Sequence, residues 1–100
     1  MTLEEFSQLE KCPSSVSLAL QALWYANKGD WDNAHKIVQD ANDADSAWVH
    51  AYLHRKEGDN DNARYWYRRS EKPEFKADLN QEWEQIVSEL LVKLSGKNKV

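Results

Sequence analysis

Gly29-Asp30-Trp31-Asp32-Asn33-Ala34 returns 29 residues later as Gly58-Asp59-Asn60-Asp61-Asn62-Ala63, and the meaning of this repeated string decides the fold. Three of its shared residues have local tasks. A glycine at a helix end adopts the left-handed conformation that other residues resist, an aspartate after it caps the next helix, and a small alanine lets two helix backbones approach closely. Ala22 and Ala51 stand at the same spacing before the glycines, and Val38 and Tyr67 at the same spacing after them. The period therefore predicts two helical hairpins, over about residues 15–41 and 46–70, stacked side by side.

Outward from the repeat, Thr2 and Glu5 have the spacing of a capping box and predict a short helix from about Leu3 to Lys11, ended by Pro13. The run Val16–Ala26, with Ser14 or Ser15 as cap, is apolar on nearly every face and must be covered on both sides; Phe6 and Leu9 are the obvious cover for one. Asp30 caps a third helix to about Ala41, with Ala34, Ile37, Val38 and Ala41 at helical spacing. After the polar turn Asn42–Asp45, Asp45 or Ser46 caps a fourth helix through Glu57, and Asp59 caps a fifth to about Arg69. Lys72-Pro73 breaks the pattern. From near Asp78, with Gln81 in the capping-box position, Leu79, Trp83, Ile86, Val87, Leu90, Leu91 and Leu94 form the broadest apolar stripe of the chain. A long amphipathic closing helix, about 78–95, is expected to cover the last hairpin, and Lys97–Val100 to fray.

Composition agrees with an all-α class of about six helices. One hundred residues, 41% hydrophobic and 30% charged, suffice for a single domain over 1–100, while three Gly and two Pro leave little punctuation for a many-turned β fold. Five Trp, about one per helix after the first, supply anchoring area for a small core. The lone Cys12 excludes an internal disulfide and a cysteine-cluster zinc site. A net charge of -4 and a pI near 5.3 argue against nucleic acid as a partner, and no apolar run approaches the ~18 residues of a membrane span. With the acidic start Met1-Thr2-Leu3-Glu4-Glu5, a cytoplasmic location without a membrane partner is the expectation. Only residues 47–77 are net basic, with seven Lys and Arg against five Asp and Glu.

On these residues the chain resembles the tetratricopeptide family. Gly29, Asp30, Trp31, Ala34, Val38 and Ala41, preceded by Leu18, Ala22 and Tyr25, follow that family's order. Gly58, Asp59, Ala63, Tyr67 and Ser70, preceded by Ala47, Ala51 and His54, follow it again, over roughly residues 15–73 and with a period about five residues short of the usual 34. The segments Ala47–Asp59 and Ala63–Arg69 also resemble a group of short bacterial proteins of unassigned function, which implies a bacterial source and no activity. The tetratricopeptide resemblance implies stacked hairpins with a concave groove, here at Val16, Ala19, Leu20, Leu23 and Ala26 and then Asp45, Trp48, Val49, Tyr52 and Arg55. These positions lack the Lys and Asn pattern that clamps a terminal carboxylate, so the implied partner is an apolar segment of another protein or peptide, or a second copy of the chain.

Candidate chemistry concentrates in the basic middle third. His50, His54 and Glu57 lie at i, i+4 and i+7 on one polar stripe of a helix otherwise contacted from most sides. Two histidines so spaced can share a zinc ion, with His35 or Glu57 as a third ligand, but no His-Glu-x-x-His string or second ligand pair accompanies them. They are therefore read as hydrogen-bonded core groups partnered by Tyr65, Tyr67, Arg68 or the capping aspartates, and no metal or cofactor is assigned. Arg55, Arg64, Arg68 and Arg69 gather beside Trp48, Tyr52, Tyr65 and Trp66, a combination suited to a carboxylate, a phosphate or an acidic peptide. The candidate binding residues are Trp48, His50, Tyr52, His54, Arg55, Glu57, Arg68 and Arg69. No phosphate loop, nucleophile elbow or carboxylate pair points to an enzyme. The expected role is a protein-interaction module presenting an aromatic and arginine surface; the alternative is a small-ligand or metal-binding protein centred on the His/Glu/Arg cluster.

Overall fold

The computed structural model describes residues 1–96, which leaves the expected fraying of Lys97–Val100 outside the described residues. Its elements are α1 (Leu3–Ser7), α2 (Leu18–Asn27), α3 (Trp31–Val38), α4 (Ala44–Lys56), α5 (Asn60–Ser70) and α6 (Leu79–Gly96). No strand occurs among the described residues. The radius of gyration, 12.6 Å, is that of one compact unit of about this length.

The repeated string makes the same turn twice. Gly29 and Gly58 have φ of 82° and 88°, the left-handed stop expected of them. Their N–H groups donate to Ala26 and Arg55 carbonyls, both at 3.1 Å, and the N–H groups of Asp30 and Asp59 donate to Tyr25 and His54 carbonyls, both at 2.9 Å. Asp30 Oδ1 then accepts from Asn33 N–H at 3.2 Å, and Asp59 Oδ1 from Asn62 N–H at 3.3 Å. The asparagines repeat for their own reason: Nδ2 of each donates to the second carboxylate oxygen of its capping aspartate. Ala22, Ala34, Ala51 and Ala63 are all buried, where a larger side chain would hold the paired helices α2–α3 and α4–α5 apart.

Several boundaries differ from the sequence expectation, each for a visible reason. The capping box of Thr2 and Glu5 forms, yet α1 stops at Ser7, short of Lys11. Leu9 turns its carbonyl to accept Trp24 Nε1–H at 3.0 Å, a tertiary bond in place of a helical one. Ser17, in place of Ser14 or Ser15, caps α2, and Val16 is buried outside it with its carbonyl bonded to Gln21 Nε2. The third helix ends at Val38 instead of Ala41, where Ala41 N–H closes a turn onto the Val38 carbonyl. Asp43 caps α4 by accepting from Ser46 N–H at 3.0 Å; several residues of the 42–46 segment can cap, and the first aspartate does. At the end of α5 Glu71 takes φ 62° without a glycine.

The position of α6 matters most for function. Asp78 caps it through Gln81 N–H at 2.8 Å, and its stripe of Trp83, Ile86, Val87, Leu90 and Leu91 is buried. It packs against α4, α2 and α1. It was expected to cover the last hairpin; it packs on α4 of that hairpin and extends across α2, the first helix of the other. Trp83 Nε1–H donates to the Leu23 carbonyl at 2.9 Å, Arg55 reaches Glu82 at 2.9 Å, and Lys93 pairs with Asp45 at 2.8 Å. Leu23, Asp45 and Arg55 are all groove positions of the resemblance. Helix α6 therefore lies over those positions. Its presence explains why Leu20, Leu23, Val49 and Tyr52 have almost no contact with water.

Candidate functional site

The candidate residues divide among three places. Trp48 and Tyr52 are buried, with the ammonium groups of Lys72 and Lys56 at 4.5 and 5.9 Å from their ring centroids. Large aromatic rings on a central helix fill space, and these two belong to the core.

Arg55 belongs to a buried polar network. Its guanidinium donates to Glu82 Oε1 and to the Ala77 carbonyl and lies over the Phe75 ring, while Tyr67 hydroxyl donates to Glu82 Oε2. Glu82 is completely buried. Burial pushes its carboxyl above the ordinary carboxylate value, against the opposing pull of Tyr67 and Arg55. Burial and the Glu82 charge likewise push Tyr52 up to about 12 and raise Tyr67. Sequence reasoning missed Glu82 although a signal existed: three residues after Leu79 and four before Ile86, it stands on the buried stripe of α6.

The third place collects every histidine of the chain. His35 from α3 meets His50 and His54 from α4, with His35 Nε2 and His50 Nε2 3.1 Å apart. The ring centroids are 4.8 Å apart for His35–His50, 5.4 Å for His35–His54 and 4.8 Å for His50–His54. Tryptophans wall the cluster: Trp31 stacks on His35 at 4.7 Å and 9°, and Trp66 on His50 at 3.8 Å and 13°. Trp31 is itself fixed by donating its indole N–H to the Leu53 carbonyl at 2.8 Å. His54 Nδ1 pairs with Glu57 Oε1 at 2.6 Å, while the buried Nδ1 of His50 has no partner. Burial, then the neighbouring His35 and His54, draws the His50 imidazole down to about 3; burial also lowers His35. Two of the three rings are thus held toward the neutral form.

The partners expected for these histidines were Tyr65, Tyr67, Arg68 or the capping aspartates on the fifth-helix side. The seam with α5 supplies a stacked ring instead, and the hydrogen bonds go to α3 and to Glu57. Tyr67 and Asp59 are engaged elsewhere, by Glu82 and by the cap of α5.

Outside this cluster, α5 presents Tyr65, Arg68 and Arg69 to solvent beside the half-buried Trp66. The Arg69 guanidinium lies 5.2 Å from the Trp66 ring centroid and 5.8 Å from that of Tyr65, and its Nη1 donates to Tyr65 hydroxyl at 3.0 Å. Arg64 is tied to Asp61, but neither Arg68 nor Arg69 has a carboxylate partner among the described residues. No described helix is long and apolar enough to cross a membrane. Compared with protein-family models, with curated proteins and with solved structures, the chain matches none, so its own geometry carries the functional argument.

Proposed function

We propose that the chain is a protein-interaction module: a tetratricopeptide-like pair of hairpins whose inner face is filled by its own closing helix, and whose outer α5 face binds an acidic segment of another protein. The observation that carries this reading is Arg69. Its charge lies across Trp66 and Tyr65, oriented by a hydroxyl that accepts from it, with no carboxylate partner among the described residues. Arg68 beside it is exposed and likewise lacks a carboxylate partner among the described residues. A guanidinium already ordered on aromatic surface loses little side-chain freedom on pairing with a carboxylate, and charge-assisted bonds of that kind are the stronger ones. The occupied inner groove supports the same choice, because a partner entering there would have to expel Trp83 and Glu82 from buried bonds.

The test is titration of the isotope-labelled protein with a short synthetic peptide of Glu and Asp containing one Phe. Amide shifts confined to α5, weakening with added salt, and a loss of about tenfold or more in Arg69→Glu support the reading. Shifts concentrated on α2, α4 and α6, or none at millimolar peptide, refute it. Concentration-dependent self-association without peptide would assign the face to a second copy.

A further inference from the structure

We propose that His35, His50 and His54 form a three-histidine binding site for a zinc-class divalent transition-metal ion, a property beyond the interaction role and carried by different residues. With Zn–N bonds of about 2.0–2.1 Å, two imidazole nitrogens on a tetrahedral ion lie about 3.3–3.4 Å apart, and the ring centroids about 5.2 Å apart. The His35 and His50 Nε2 atoms are 3.1 Å apart, and the three centroid distances, 4.8, 5.4 and 4.8 Å, bracket the tetrahedral value. All three ligand atoms lie within 4.8 Å of one another, so ring turns moving nitrogens by about 1.5 Å at most close the site. His50 and His54 meet through their i, i+4 spacing on α4, and His35 joins them because α3 packs on α4.

The surroundings are those of a ligand set. Glu57 accepts from His54 Nδ1–H, which leaves the lone pair on Nε2, the nitrogen that ligates; carboxylate–histidine pairs of this kind orient metal ligands. Trp31 and Trp66 hold the planes of His35 and His50, so the turn that closes the site falls on His54, whose ring lies at 23° to that of His50 and must rotate to aim at the same ion. His50 and His54 are buried and His35 is half-buried, so the entry path and the fourth coordination position lie on the His35 side. The donor set selects the ion. Imidazole nitrogens suit zinc and its neighbours, whereas calcium and magnesium require oxygen ligands. The neighbouring group of His54, Glu57 and Asp59 is no competitor, because Asp59 is engaged in capping α5.

Entry of the ion has a chemical consequence inside the cluster. In the metal-free protein one Nε2–H donates across the His35–His50 pair; ligation of both Nε2 atoms places each ring's proton on Nδ1. The Nδ1 of His50 is buried without a partner, so that proton remains unpaired. One missing outer partner weakens binding by about ten- to hundredfold relative to a fully supported site.

Zinc alone, titrated into the untagged full chain by calorimetry with NMR of the imidazole signals, is the test. One equivalent binding at micromolar concentration and moving the ring signals of all three histidines is expected, with cobalt giving the visible absorption of a tetrahedral ion. His35→Ala, at a half-buried position, should keep the helical circular dichroism and lose affinity by about a hundredfold. Glu57→Gln should weaken binding by about tenfold while the same three rings still respond. Absence of ring shifts in the wild type at millimolar zinc, or binding that His35→Ala leaves unchanged, overturns the assignment.

Discussion

Replacing Glu82 tests how α6 is held. The carboxylate is fully buried between the Arg55 guanidinium, 2.9 Å from Oε1, and the Tyr67 hydroxyl on Oε2. Glu82→Ala leaves both donors facing a void. Removing one partner of a buried pair costs about 3–5 kcal/mol. The lower end applies here, because the Ala77 carbonyl still accepts from Arg55 and the Arg55 side chain retains 19% exposure to water. At 4–8 °C per kcal/mol for a domain of this size, the melting temperature should fall by roughly 12 °C or more. Glu82→Gln behaves differently. Its carbonyl can accept from Arg55, its amide can donate to the Tyr67 hydroxyl, and the cost should stay near 1 kcal/mol.

The pH dependence distinguishes the two contributions further. Burial raises the folded-state pKa of Glu82 above its ordinary 4.5, so the folded state holds that proton more tightly than the unfolded state does. Its contribution is fully present below the unfolded value and is lost as pH rises through the folded one. The stability of wild type minus that of Glu82→Gln, from urea unfolding followed by tryptophan fluorescence, should therefore decline as pH climbs upward from about 4.5. A flat or rising difference, or an alanine variant within about 0.5 kcal/mol of wild type, would refute the buried-network argument.

Other consequences are simpler to measure. Gly29→Ala and Gly58→Ala should each cost on the order of 1 kcal/mol in urea unfolding, purely through backbone conformation, since a Cβ at either site meets nothing within 4 Å. Truncation after Pro73 removes the stripe from Trp83 to Leu91 and uncovers Leu23 and Val49; the fragment should aggregate, and a soluble, monomeric, fully helical one would contradict the packing of α6.

What the sequence disclosed follows the range of the forces involved. The turns at Gly29 and Gly58 and the caps at Asp30 and Asp59 were legible because glycine stops and aspartate caps act within three residues, and the repeat displayed them twice. The early end of α1 was not, because the bond from Trp24 to the Leu9 carbonyl spans 15 residues. The placement of α6 depends on bonds to Leu23, Asp45 and Arg55, none of which a helical period encodes. The site divides in the same way. His50, His54 and Glu57 form a stripe visible in the spacing of one helix. His35 could be named only as an optional third ligand, since its approach requires α3 to pack on α4, and Trp66 was read as a neighbour of arginines when its closest ring is His50. Arg55 looked like a surface charge until the partner on its other side, Glu82, was in place.

The central claim is that α6 fills the inner face of the two hairpins and leaves the α5 face open. Hydrogen–deuterium exchange at the five indole N–H groups, resolved by NMR of the wild-type chain, tests it most directly. Trp83 donates to the Leu23 carbonyl 60 residues away and is almost fully buried, whereas Trp66 is half-buried at the α5 surface with no indole bond to the described residues. The account predicts that the Trp83 indole exchanges as slowly as the most protected amides of α4, with Trp66 much faster. A Trp83 indole that exchanges as fast as that of Trp66 would contradict it.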